Sequence, residues 1–197
     1  MYRGNSAAEA FALEMFDYKS GGYYVELGAF HSKDQSNTYY LETDYDWKGI
    51  SFEIKEDRRQ EFIQNRKNPC LGDALKIDYI SEFKNLSFPD RIDFLQIDID
   101  QEYYGHTGKP RGSGAEVLLG LISLPLTQYR FSVIVFEHDM VNYYKNESVR
   151  DAQREVLNAL DYRLVIRDVG EDWWIDPLVI SREKVDKYLI NVPEYKR

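Results

Sequence analysis

Mostly apolar runs of five or six residues alternate along this chain with longer stretches in which apolar positions recur every three or four residues. The short runs at 23–27, 49–54, 92–97 and 131–136 predict strands covered on both faces. Residues 56–67 and 117–124 have helical spacing, the first charged and halted by Asn68-Pro69. Ser6-Ala7-Ala8-Glu9 has the form of a capping box in which Glu9 reaches back to the Ser6 N–H. The apolar Ala10, Phe11, Leu13, Met15 and Phe16 then suit an amphipathic helix, stopped by Gly21-Gly22. Ser36-Asn37 predicts a cap for a helix to about Tyr45, and Ser148 and Asp151 cap another to about Leu160. A short segment around residues 70–75 ends in Gly72-Asp73-Ala74 and counts as the third strand end. Two β-rich runs, 163–169 and 173–180, flank Gly170-Glu171-Asp172 and predict a hairpin. Strands alternating with helices imply a mostly parallel sheet with helices on both faces, the hairpin adding an antiparallel edge strand. No repeat or linker interrupts the pattern, so residues 1–197 are expected to form a single α/β domain.

Composition narrows the setting. A chain of 197 residues, 43% apolar, can close a core without a disulfide or structural metal. Its sole cysteine, Cys70, has no internal partner to bridge to. No run approaches the roughly 20 apolar residues of a membrane span, and the start lacks a basic-then-apolar leader. A cytoplasmic protein without a membrane partner is therefore expected. The 25 basic and 34 acidic residues give a net charge of −9, which argues against nucleic acid as a partner.

In an open α/β sheet, ligands bind beyond the carboxyl ends of the strands. Those ends are acidic here: Glu26 before Gly28-Ala29, Glu53, Asp73-Ala74, Asp98-Ile99-Asp100 and Glu137-His138-Asp139. Gly28 permits close backbone approach to a ligand, and Glu53 stands about 25 residues later, where dinucleotide folds place an acid on ribose hydroxyls. The remaining glycines of a G-x-G-x-x-G fingerprint are missing, and no G-x-x-x-x-G-K-[ST] loop occurs. A cleft edged by Glu26, Glu53, Asp73 and Asp98 repels phosphate and suits S-adenosylmethionine, which carries a sulfonium and an ammonium group.

Several segments carry a resemblance: Tyr24-Val25-Glu26-Leu27-Gly28-Ala29, Ser36-Asn37-Thr38, Trp47-Lys48-Gly49-Ile50, Phe52-Glu53 and Ile92-Asp93-Phe94-Leu95-Gln96-Ile97-Asp98. With Tyr129 through His138 and Asp172-Trp173-Trp174-Ile175-Asp176-Pro177, they resemble FkbM-type S-adenosylmethionine-dependent methyltransferases in order and spacing. The resemblance implies the class I, Rossmann-like methyltransferase fold: a seven-stranded, mostly parallel sheet with an antiparallel last strand. It also implies methyl transfer to oxygen on a small-molecule or glycan acceptor. By position, Glu26, Gly28 and Ala29 flank the cofactor's methionine part, Asn37 its carboxylate and Glu53 its ribose. Asp73 and Ala74 meet adenine, and Asp98 faces the sulfonium. Two places depart from the family pattern: Phe30-His31-Ser32 stands where an Asp-Gly pair is frequent, and Gln101 follows Asp100 where Gly is common. Residues 105–114, with Lys109, Pro110 and Arg111, read as an insertion.

An acceptor hydroxyl must lose its proton during attack, and His138 is the first candidate base, followed by Asp98 and Glu137. Asp98 and Glu137, with Asp100 or Asp139, are alternatively oxygen ligands for Mg2+, which lowers the acceptor's pKa. His31 and His106 read as loop residues, and Tyr103 and Tyr104 as packing. One of Trp173 and Trp174 is expected to pack inward while the other borders the acceptor mouth. The competing functions are a metal-dependent hydrolase or nuclease built on Asp98, Asp100, Glu137 and His138, and an inactive binding module on the same fold.

Overall fold

The computed structural model describes residues 7–99, 115–138, 147–168 and 170–189. Among these, seven strands form one sheet: β1 (Tyr23–Leu27), β2 (Lys48–Phe52), β3 (Cys70–Leu71), β4 (Arg91–Ile97), β5 (Arg130–Glu137), β6 (Arg163–Arg167) and β7 (Glu171–Ile175). The order across the sheet is β3-β2-β1-β4-β5-β7-β6. Strands β1 to β5 pair in parallel, and β7 runs antiparallel to both neighbours. This is the class I methyltransferase arrangement that the resemblance implied. The order reverses direction between β1 and β4, which opens a crevice at their carboxyl ends.

The central strands are buried on both faces because alternate residues feed separate cores. Val25, Leu27, Leu95, Ile97, Ile134 and Phe136 face one, and Tyr24, Phe94, Val133 and Val135 the other. Helices α4 (Tyr79–Asn85), α5 (Ala115–Ser123) and α6 (Glu147–Ala159) supply Phe83, Leu121 and Leu157 to the first core. Helices α1 (Ala7–Met15) and α7 (Arg182–Leu189) supply Phe11, Leu13 and Val185 to the second. Each such side chain, once buried, contributes about 1.5–3 kcal/mol. Two further helices, α2 (Tyr39–Thr43) and α3 (Glu56–Asn65), follow β1 and β2.

Several elements differ from the sequence reading. Helix α1 ends before Gly21, at left-handed Asp17 and Tyr18 (φ 52° and 58°), with the Tyr18 N–H on the Leu13 carbonyl at 2.8 Å. Glu9 caps a different helix: its Oε1 accepts the N–H groups of Tyr40 at 2.6 Å and Leu41 at 3.1 Å, at the start of α2. Its expected partner Ser6 lies outside the described residues. Helix α2 is one turn long because the Ser36-Asn37-Thr38 stretch is bound elsewhere. Residues 176–180 leave the sheet after β7, and α4 and α7 were not anticipated. Asp78 caps α4 through the Ser81 N–H at 3.2 Å. Trp174 is fully buried in the first core, and Trp173 packs 5.1 Å from the Phe11 ring in the second, with its indole N–H donating to Glu171 at 2.7 Å.

Candidate functional site

Strand register lines up the acidic residues. Leu71, Phe52, Leu27, Ile97 and Phe136 are paired across the sheet, so the next position outward reads Gly72, Glu53, Gly28, Asp98 and Glu137, with Glu171 of β7 paired to Glu137. Glu53, Asp98, Glu137 and Glu171 thus form one row of carboxylates along the carboxyl edge, broken by Gly28 at the topological switch. Glu171, expected in the hairpin turn, instead opens β7; burial pushes its carboxyl upward, against the Trp173 indole N–H, which donates to it at 2.7 Å.

The turn after β1 spends its own donors. Gly28 N–H and Ala29 N–H both point to the Phe52 carbonyl, at 3.0 and 2.9 Å, and Phe30 N–H points to Glu53 Oε2 at 3.0 Å. An edge that binds pyrophosphate would aim such N–H groups outward. Gly28 itself has φ 89°, and a β-carbon on it would lie 1.8 Å from the Asp98 carbonyl oxygen. The glycine is therefore required by the chain's own backbone, whatever binds above it. Phe30 also adopts a left-handed conformation (φ 54°) and is partly exposed, with the Arg58 guanidinium 3.9 Å from its ring centre.

Glu53 is buried; Lys55 N–H donates to its Oε1 at 2.8 Å, and Arg58 lies 3.6 Å from its Oε2. Each carboxylate oxygen keeps a lone pair for a hydroxyl. Beside it Ile54, expected to close the second strand, lies beyond β2 and is 69% exposed. Asp73 caps a 3-10 turn (Ala74–Lys76) through the Leu75 N–H and pairs with Lys76 at 2.9 Å, which holds its carboxyl below the usual range. Ala74 is buried beneath it.

Below the edge lies a buried polar row. Glu26 stands in register with Ser51 on one side and Gln96 on the other. Its oxygens accept the Ser51 hydroxyl at 2.6 Å, the Thr38 hydroxyl at 2.8 Å and the Asn37 N–H at 3.3 Å. Burial raises its pKa, opposed by Arg66 and these donors. Gln96 is 1% exposed, and its Oε1 has no hydrogen-bond partner. A buried acceptor left open beside a carboxylate suits an incoming cationic or N–H donor.

Just past the end of β5, His138 is 2% exposed, with its backbone N–H on the Gly170 carbonyl at 2.7 Å. Its Nε2 lies 3.7 Å from Asp172 Oδ1, and neither ring nitrogen has a hydrogen bond. Asp172 is gripped by Arg154 Nε and Nη2, at 2.6 and 2.7 Å, and by Gln153 Nε2. This Asp172 partnership was missed because its residues lie on three separate elements. The structure thus brings Glu26, Gly28, Ala29, Asn37, Glu53 and Asp98 around the β1/β4 crevice, with His138 and Glu137 one strand away. Asp73 and Ala74 sit at its β3 end. His31 is a loop residue, its Nδ1 3.0 Å from Glu61.

Among the described residues, no group of three or more His, Cys, Asp or Glu side chains could hold a metal ion, and no helix is long and apolar enough to cross a membrane. Asp100, Tyr103, Tyr104, His106, the 105–114 stretch and Asp139 lie outside the described residues.

No protein-family model and no curated protein matches the sequence. Solved structures do. Human methyltransferase-like protein 13, in complex with SAH, is similar over 96% of this chain and 92% of that one, at 13% identity and a TM-score of 0.52. A putative rRNA-methylase from Clostridium thermocellum is similar over 88% of this chain and 97% of its own, at 8% identity and a TM-score of 0.53. At such identities the likeness concerns the fold, which is that of class I methyltransferases.

Proposed function

We propose that this chain is an S-adenosylmethionine-dependent methyltransferase that methylates a hydroxyl oxygen on a small or sugar-containing acceptor. The observation that carries this reading is the edge itself: a carboxylate row flanking a turn whose three successive N–H groups are all consumed internally. Such an edge suits an adenosine ligand that is cationic and lacks phosphate. The motif resemblance to the FkbM type supports the same reading, as does the SAH bound to the fold relative.

In this reading Glu53 accepts the ribose hydroxyls, Ile54 and Ala74 flank adenine, and Asp73 offers it an acceptor. Glu26, Gly28, Ala29 and Asn37 surround the methionine part, with Asp98 on the sulfonium side. When bound, the cofactor supplies a methyl group already activated on sulfur. The protein's remaining tasks are alignment, worth about 7–11 kcal/mol when good, and removal of the acceptor's proton. His138 takes that proton on Nδ1, because its Nε2 faces Asp172. Its burial keeps the transfer away from bulk water. Glu137 and Asp98 stand next in line as bases.

Calorimetry with S-adenosylhomocysteine tests the assignment. The protein is expected to bind it in EDTA, Glu53→Ala to weaken binding at least tenfold, and His138→Gln to bind normally. Binding of Mg2+ with indifference to S-adenosylhomocysteine would favour the hydrolase and overturn the methyltransferase.

A further inference from the structure

One buried cation organises the loop beneath the proposed cofactor site. Arg66 follows the last residue of α3, and its side chain is fully buried, uncommon for an arginine. Its Nε donates to Glu42 Oε2 at 2.7 Å and its Nη1 to the Ser32 carbonyl at 2.9 Å and Ser36 Oγ at 3.3 Å. Its Nη2 donates to the Tyr24 hydroxyl at 3.0 Å and to Thr38 through both the carbonyl, at 3.2 Å, and Oγ1, at 3.0 Å. The guanidinium plane lies 5.1 Å from the Phe62 ring centre. Glu42 in turn accepts the N–H groups of Lys67 and Asn68, at 2.5 and 3.3 Å, so the acid is fixed from its other side.

The connection to the site runs through Thr38. Its hydroxyl accepts from Arg66 and donates to Glu26 Oε2 at 2.8 Å, while the neighbouring Asn37 N–H points to Glu26 Oε1. Ser32, Ser36 and Thr38 are all fully buried although they belong to the turn after β1. No regular ladder holds that turn; three of its residues are fastened to one guanidinium.

We infer that Arg66 is the positioning residue of the cofactor site, clamping the 32–38 turn so that Asn37 and Glu26 are pre-set for the ligand's amino-acid end. This inference rests on the reading of the site as one for S-adenosylmethionine. The clamp needs a planar fork of donors in several directions and not only a positive charge, which a lysine would supply as a point.

Arg66→Lys and the isosteric Thr38→Val are the decisive variants, compared with wild type for S-adenosylhomocysteine affinity by calorimetry and for amide exchange across residues 32–38. Both are expected to raise Kd at least tenfold and to speed exchange in that turn, with circular dichroism and tryptophan emission unchanged. A merely structural arginine would lower the unfolding midpoint but leave the folded protein's affinity within twofold of wild type, and that result overturns the inference while sparing the cofactor reading. If Arg66→Lys does not fold, Thr38→Val decides by the same thresholds. A wild-type protein that ignores S-adenosylhomocysteine overturns both.

Discussion

Gly28 occupies the left-handed region at φ 89°, and its hydrogen faces the Asp98 carbonyl where a methyl would lie 1.8 Å from oxygen. The left-handed backbone costs a residue with a β-carbon about 1–2 kcal/mol, and overpacking adds about 1–3 kcal/mol. Gly28→Ala is therefore expected to lose about 2–5 kcal/mol in urea unfolding, whether or not ligand is present. Gly72, two strands away on the same edge, meets nothing within 4 Å. Gly72→Ala should stay within about 0.5 kcal/mol of wild type. Equal losses in both would mean that β1 and β4 do not approach as described. The contrast also shows what one sequence conveys about a glycine. Its place after an apolar run marks a turn, but only the neighbouring strand reveals that a backbone carbonyl fills the space a ligand was expected to use.

Helix α6 is tied to β7 by a buried charge pair, and here the pH dependence has a definite sign. Burial works to raise the Asp172 carboxyl, but His138 and Arg154 outweigh it, so its pKa falls below the ordinary value of 3.8. A lowered folded-state pKa stabilises the protein above the unfolded value, and that contribution is lost as pH falls through the lowered one. Asp172→Asn leaves Arg154 without its charge partner and is expected to cost about 3–5 kcal/mol at neutral pH. Urea titrations at pH 7 and near pH 3.5 should show that gap narrowing in acid; a constant gap would mean the pair is not ionised in the folded state. The strands, α3 and α5 were legible because their periodicity is local and tertiary contacts reinforce it. Helices α4 and α7 hid because short polar stretches carry weak patterns. The Asp172–His138 contact had no local signal at all, since it depends on β7 lying against β5.

At the scale of the molecule, the order of the strands decides where chemistry is possible. Periodicity indicated a parallel sheet with an antiparallel edge strand but could not order the strands; the antiparallel strand is in fact β7, inserted between β5 and β6, so the edge strand β6 runs in the direction of β5. The reversal between β1 and β4 divides the sheet into a β3-β2-β1 part and a β4-β5-β7-β6 part. Glu26, Glu53 and Asp73 lie in the first, and Gln96, Asp98 and His138 in the second. A ligand seated across the switch touches both and stabilises the folded state over the unfolded one by mass action. At a hundred times Kd, S-adenosylhomocysteine should add about 2.7 kcal/mol, which for a chain of this size is about 5–11 °C in Tm. The shift should saturate with ligand, shrink in Glu53→Ala at the same concentration, and be absent with NAD, whose diphosphate meets a row of carboxylates and a turn whose Gly28, Ala29 and Phe30 N–H groups are already engaged. An equal shift with NAD would mean that charge does not govern what this edge accepts.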